Sequence, residues 1–406
     1  MTIPPAVLTA SDTGFHVESW EPVDFSLRYV DGVFAPENPQ LADSYRERGR
    51  SLAVVDETVH ALYGDRMRAY FAEHGIALTV FPLAIAETSK SLRTLERIVD
   101  AFADFGLLRT EPVLVVGGGL TTDVTGFACA SYKRGTPYIR IPTTLIGLID
   151  ASVAMKVAVN HGKHKNRLGA FHASSQVLLD FSFLATLPEP QVRNGTAEMI
   201  KIATVANAGL FDLLEKYGDD LLATGFGQRG PAQGDGGPEL REIARRATHE
   251  AIRTMLELEH TNLRELDLDR VIAFGHTWSP TLELTPDTPM LHGHAISVDM
   301  AFSATLAERR GFVTAGERDR IHRLFTGLGL AVDSPYLTPE LLTAATSSIL
   351  QTRAGLLRAA VPHPIGTCHF VNDVTPEELH ETLAAHREIV AGYPTAVEGV
   401  DMWAGA

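Results

Sequence analysis

Between residues 50 and 150 the chain alternates short, nearly continuous apolar runs with longer stretches in which apolar positions recur every three or four residues. The runs SLAVVDETV (51–59), ALTVFPL (77–83), PVLVV (112–116) and YIRIP (138–142) read as buried strands. GDRMRAYFAEHG (64–75) and SLRTLERIVDAFADFG (91–106) carry the helical period, and a further helix follows the glycines after PVLVV. Strands alternating with helices predict a parallel sheet with crossover helices. Residues 1–50 look irregular, apart from FSLRYVDGVF (25–34), which suits a strand or hairpin. From Leu187 the helical period takes over: RNGTAEMIKIATVAN, LREIARRATHEAIRTMLELE, HGHAISVDMAFSATLAERRG and TPEELHETLAAHREIV. The pattern predicts an α/β domain over residues 1–186 and a mainly α-helical domain over 187–406. Glycines and prolines in 224–239 suggest a surface loop within the second.

Composition changes this picture little. The 406 residues are 45% hydrophobic and 21% charged, an ordinary globular balance. A formal net charge of −15 argues against nucleic acid or an anionic membrane as the main partner. An anionic substrate would need a local basic cluster. Cys129 and Cys368 sit in apolar surroundings and read as core residues, in keeping with a reducing cytoplasm. The start lacks the basic and apolar regions of a secretory signal, and no apolar run reaches the roughly 18–20 residues of a membrane helix.

Candidate chemistry lies at the strand ends and in three helical motifs. VLVVGGGLTTDVTGFA puts three glycines between an apolar strand and a helix. There the backbone can approach a pyrophosphate and the helix start can donate N–H groups to it. Asp56 ends an earlier strand, where ribose hydroxyls are often held, and Glu87 and Lys90 could serve likewise. Residues 150–172 gather Lys156, His161, Lys163, His164, Lys165, Asn166 and Arg167, a basic loop able to meet phosphate. Glu198 in AEMIK, His276 in FGHT and His292 in HGHA would make a His₂Glu set of the kind that holds catalytic zinc. They lie on separate segments, so spacing alone does not bring them together. Pro280 occupies the position four residues after His276, where a metalloprotease helix would carry a second histidine. It either caps or kinks the helix after FGHT, or shapes a pocket.

The stretch GGGLTTDVTGFACASYKRGTPYIRIPTTLIGLIDASVAMKVAVNHGKHKNRLGAFH, followed in order by AEMIK, FGHT and HGHA, resembles the dehydroquinate synthase-like sugar phosphate cyclases over roughly residues 50–370. The resemblance implies a Rossmann-like NAD-binding domain, a helical metal-binding domain with Zn or Co, a cleft between them, and a homodimer. It implies that Asp56, Glu87, Lys90, Gly118, Gly119, Thr122, Asp123, Thr143, Thr144, Lys165, Phe183 and Thr186 bind NAD. Glu198, His276 and His292 would hold the metal, and Asp150, Lys156, Asn166 and Lys201 would face the substrate. Arg134 would reach a neighbouring subunit's phosphate site. Where dehydroquinate synthases carry lysine, arginine, asparagine and histidine, an ungapped count gives Met255, Asp269, Ala273 and Pro280. Those cations face a substrate carboxylate, so their loss implies a sugar phosphate without one. With His294 of HGHA, the pattern is most similar to the 2-epi-5-epi-valiolone synthase branch, which cyclises sedoheptulose 7-phosphate. Relatives that make 2-epi-valiolone or desmethyl-4-deoxygadusol from the same sugar remain alternatives, as does a metal-dependent polyol dehydrogenase of the same fold.

Overall fold

The computed structural model describes residues 4–162, 164–229 and 237–394. Lys163 of the basic segment and residues 230–236 of the glycine-rich loop lie outside them. The chain opens with a hairpin, β1 (Val7–Ser11) and β2 (Gly14–Glu18), then β3 (Ser26–Tyr29) and a short α1 (Gln40–Asp43). There follow β4 (Arg50–Asp56), α2 (Glu57–Glu73), β5 (Ala77–Leu83), α3 (Leu92–Asp104), β6 (Val113–Gly117), α4 (Gly119–Ser131) and β7 (Tyr138–Pro142). Then come β8 (Lys156–His161), β9 (His164–Phe171) and β10 (Gln176–Leu179).

Six parallel strands form one sheet in the order β3-β10-β7-β6-β4-β5. The inner strands β4, β6, β7 and β10 are almost wholly buried because both faces are covered, and the edge strands β3 and β5 are partly exposed. Ala53, Val55, Leu114 and Val116 pack under Met67, Tyr70 and Phe71 of α2. Leu52, Val54, Val113 and Val115 pack under Ile98 and Phe102 of α3 and Val124 and Ala128 of α4. The chain leaves β4 outward to β5, then returns to place β6 on the other side of β4. The reversal opens a crevice at the carboxyl ends of β4 and β6, where Asp56 and the glycines lie.

The second half is helical: α5 (Glu189–Ala206), α6 (Ala208–Ala223), α7 (Gly237–Glu259), α8 (Ser279–Leu284), α9 (His292–Arg309), α10 (Ala315–Gly327), α11 (Pro339–Thr352) and α12 (Pro376–Val390). One small hairpin interrupts it, β11 (Ala359–Pro362) with β12 (Cys368–Val371). A single apolar core runs from Leu145, Leu148, Ile149 and Leu184 into Met199, Ile200, Phe211, Phe274 and Ile296, so it joins the sheet half to the helices.

Three details depart from the sequence-based expectation. Residues 7–18 form a hairpin rather than irregular chain, while β3 falls within the expected stretch 25–34. The basic loop is itself a hairpin, β8–β9, with Lys156 paired to Phe171. Its alternation is hidden because charged residues occupy the outward positions. Helix α2 starts at Glu57, because the Asp56 carboxylate accepts from Thr58 N and Val59 N and caps it at once.

Candidate active site

The glycine turn is dictated by close approach. A Cβ on Gly118 would sit 2.9 Å from Thr144 Cγ2, so the turn after β6 can pass the turn after β7 only without a side chain. Thr122 Oγ1 donates to Gly119 O, and Thr144 Oγ1 accepts from Gly147 N. Phe183 is buried beside Tyr63, whose hydroxyl lies 2.7 Å from Thr186 Oγ1. Thr143 is buried at the end of β7. Asp56 spends one carboxylate oxygen on its helix cap and receives Thr121 Oγ1 on the other at 3.4 Å.

A second group forms around the β8–β9 hairpin. Lys90 is nearly buried and donates to Asp123 Oδ2 at 2.7 Å and Asn166 Oδ1 at 2.6 Å. Asn160 donates to Glu87 Oε1 at 2.8 Å and accepts from Asn166 N. Glu87, Lys90, Asp123, Lys165 and Asn166 thus belong to one network, with Lys165 Nζ 4.0 Å from Glu87. Lys156 lies at the foot of the same hairpin. Its ammonium contacts Glu265 at 2.8 Å and Glu259 at 3.3 Å, and Arg270 also binds Glu265 at 2.6 Å.

The metal motifs converge. One ligand atom from each of Glu198, His276 and His292 lies within 4.8 Å of the others. Gly293 explains how: a Cβ there would fall 2.6 Å from Asn194 O, so α9 begins hard against α5. The Gly293 N–H donates to Asn194 Oδ1, which locks that approach. Glu198 Oε1 is 3.0 Å from His292 Nε2 and 3.8 Å from His276 Nε2. Its other oxygen is 2.5 Å from Lys201 Nζ, which also donates to Asp150 at 2.8 Å. Asp150 sits in a turn, Gly147–Ala151, whose carbonyl at Ala151 receives the buried guanidinium of Arg140. A Cβ on Gly119 would meet Ala151 at 3.5 Å, so this turn joins the glycine loop to the metal motifs.

Burial opposes charge on Glu198, yet Lys201 and the two imidazoles hold its carboxyl well below the usual range. Burial and Lys201 push His276 down to about 3, so it is a neutral imidazole. Burial also works against a proton on His292, but the carboxylates of Glu283 and Glu198 prevail and raise it to about 9. Burial lifts Asp150 to about 6 against the pull of Lys201. Two imidazole nitrogens and one carboxylate oxygen fit a divalent ion of the zinc or cobalt type.

Other candidates fall elsewhere. Met255 is fully buried in the shared core, and Ala273 is buried in the turn before His276. Asp269 is ion-paired with Arg358 and its side chain is 41% exposed, so its charge is already met. Pro280 is exposed in the first turn of α8, where a missing N–H costs nothing. His294 is buried, with Nδ1 accepting from Ala331 N. Arg134 is exposed, in left-handed backbone with φ 63°.

Sequence reasoning missed three residues that hold this site. Glu283 contacts His292 Nδ1 at 2.9 Å and Lys165 at 2.5 Å. Asp299 accepts from Trp278 N at 2.5 Å and Ser279 N at 2.8 Å, and so fixes the segment after His276. Arg140 ties the Asp150 turn. Glu283 is seven residues after His276, but α8 begins only at Ser279, so no helical spacing pointed to it.

Two family models match the chain, 3-dehydroquinate synthase N-terminal over residues 80–194 and 3-dehydroquinate synthase C-terminal over residues 195–348. Demethyl-4-deoxygadusol synthase of Trichormus variabilis is 59% identical over 403 residues, covering 99% of this chain and 97% of that one. A 2-epi-5-epi-valiolone synthase of an Actinoplanes species is 44% identical over 383 residues, covering 92% and 94%. Among solved structures, ValA (2-epi-5-epi-valiolone synthase) from Streptomyces hygroscopicus subsp. jinggangensis 5008, with NAD+ and Zn2+ bound, superposes with a TM-score of 0.85 at 39% identity, covering 92% of this chain and 99% of that one.

Proposed function

This chain belongs to the 3-dehydroquinate synthase family, and from that premise we propose that it cyclises sedoheptulose 7-phosphate to demethyl-4-deoxygadusol. It is an NAD- and metal-dependent sugar phosphate cyclase. The observation that supports the catalytic reading is the convergence of Glu198, His276 and His292 next to the turn that carries Asp150. The choice of product rests on similarity. Identity to the demethyl-4-deoxygadusol synthase is 59%, against 44% to the valiolone synthase. That moves the reading from 2-epi-5-epi-valiolone, which the sequence motifs favour, to the product they leave as an alternative.

NAD+, when bound at the glycine turn, would take a hydride from the sugar and later return it, and a divalent ion on the His₂Glu set would draw electron density from a substrate oxygen. The chain's own residues do the rest. Lys156 and Asn166 hold the phosphate, which competes with Glu259 and Glu265 for the ammonium. Asp150 and Lys201 orient ring hydroxyls and exchange protons with them, each already hydrogen-bonded to the other. Met255 and Ala273 offer no charge, and Arg358 occupies Asp269, so none of the three supplies a free cation to a carboxylate. Arg134, exposed on the sheet half, extends to the phosphate site of a second copy in a homodimer.

The test is to incubate the chain with sedoheptulose 7-phosphate, NAD+ and zinc or cobalt and to identify the product by NMR and mass spectrometry. A 4-deoxy ring carbon has lost its oxygen, so the expected product is lighter than a valiolone by one water. A product that keeps that water sinks the choice of demethyl-4-deoxygadusol and leaves the cyclase. Net NADH formation with a simple polyol, and no ring product, would sink the cyclase reading.

A further inference from the structure

We propose that Glu283 is a positioning residue for the metal site, pinned by Lys165 from the opposite half of the molecule. It rests on the metal reading of Glu198, His276 and His292.

An imidazole ligand offers its lone pair at one nitrogen only when the proton sits on the other, so the group facing the far nitrogen decides the tautomer. The two histidines meet that need differently. His276 Nδ1 lies 3.0 Å from the carbonyl of Phe274, two residues back in its own chain. His292 Nδ1 lies 2.9 Å from Glu283 Oε2, a carboxylate on α8. With Nδ1–H donating to Glu283, loss of the other ring proton leaves the Nε2 lone pair of His292 facing Glu198 and His276. A carboxylate behind the ring also makes it a stronger donor than a carbonyl does.

Glu283 is itself constrained. Its side chain is only 3% exposed, and its Oε1 is 2.5 Å from Lys165 Nζ on β9. Lys165 is 15% exposed and also lies 4.0 Å from Glu87. The chain Glu87–Lys165–Glu283–His292 therefore runs from the sheet half, through the hairpin, to a metal ligand on α9. Within this chain the step across is the Lys165–Glu283 contact, so this pair holds the ring from outside the helical half.

A buried ion pair could be only structural, and the experiment separates the two roles. Zinc affinity of the full-length chain, stripped with EDTA, is measured by chelator competition for wild type, Glu283→Gln, and the double variant Glu283→Gln/Lys165→Met. The unfolding midpoint of each stripped chain is recorded alongside. Glu283→Gln is expected to weaken zinc binding about 10–100-fold, and to lower the midpoint because Lys165 loses its partner. The double variant removes both charges. Its midpoint is expected to recover while its zinc affinity stays low. A folded double variant that binds zinc as tightly as wild type overturns the proposal and leaves the pair structural. A wild type that binds no zinc overturns the metal reading and this inference with it.

Discussion

The two walls of the proposed site are built on different principles. On the sheet side, the positions proposed for NAD come from consecutive strand ends between Asp56 and Thr186. Most are held by backbone geometry: a capped helix, a glycine turn without room for a Cβ, threonines bonded to nearby main chain. On the helical side, Glu198, His276 and His292 come from three separate segments and are held by buried charge. On the sheet side the helix cap and the glycine turn are local, while Lys90 joins Asp123 and Asn166 from distant segments. The helical side exists only once α5, α8 and α9 have packed.

The buried titratable groups do not follow that division. Burial displaces such groups in both halves: Tyr45, Cys129, Tyr138 and Asp150 on the sheet side, and His276, Asp299, His322 and His386 on the helical side. Each is a place where packing sets chemistry.

If the walls are independent, damage to one should leave the other intact. The largest effect is expected from His276→Ala. It should abolish metal binding and lower kcat by roughly 10³, since a metal ion supplies several kcal/mol of transition-state stabilisation. NAD affinity should be unchanged by calorimetry. Retained metal content in that variant would break the assignment.

Lys156→Ala tests the seam between the walls. Loss of a charge-assisted bond is expected to cost about 1.5–3 kcal/mol in sugar-phosphate binding, read as a higher KM. A wild-type KM would remove Lys156 from the phosphate site.

Gly118→Ala is the mirror of His276→Ala. Its new Cβ meets Thr144, and such overpacking costs about 1–3 kcal/mol. The loss should appear as weaker NAD binding with zinc affinity intact. Equal loss of both would show that the walls are not independent.

His386→Gln sharpens the division at the smallest scale. His386 donates from Nε2 to Val332 O and accepts the Thr305 hydroxyl at Nδ1, and burial lowers it to about 4. The folded chain therefore keeps it neutral where the unfolded chain protonates it. The stability it contributes is present above about pH 6.5 and is lost as pH falls toward 4. Relative to the variant, wild type should lose about 1.4 kcal/mol per pH unit across that window, by urea denaturation. Parallel slopes for the two proteins would contradict it.

How much of this was legible in advance follows the same line. The four main strands, the glycine turn and the helical character after Leu187 could be read from apolar periodicity, because period and turn chemistry are local properties. Residues 7–18 were not, because both strands of that hairpin are exposed and five-residue strands in mixed sequence give little period. The β8–β9 hairpin was read as a loop because its charged residues mask the alternation.

The sequence by itself marked four strands, the glycine turn and Glu198, His276 and His292 as candidate metal ligands. Those depend on residue type and on neighbours a few positions away. Only the tertiary structure decided that Glu198 meets His276 and His292, that Asp269 is spent on Arg358, and that Glu283 joins His292 to Lys165. Such contacts join residues as far apart as Lys165 and Glu283, 118 positions along the chain. No local pattern fixes them, because a carboxylate finds its partner only where close packing of helices without Cβ atoms, as at Gly293, brings the two into reach.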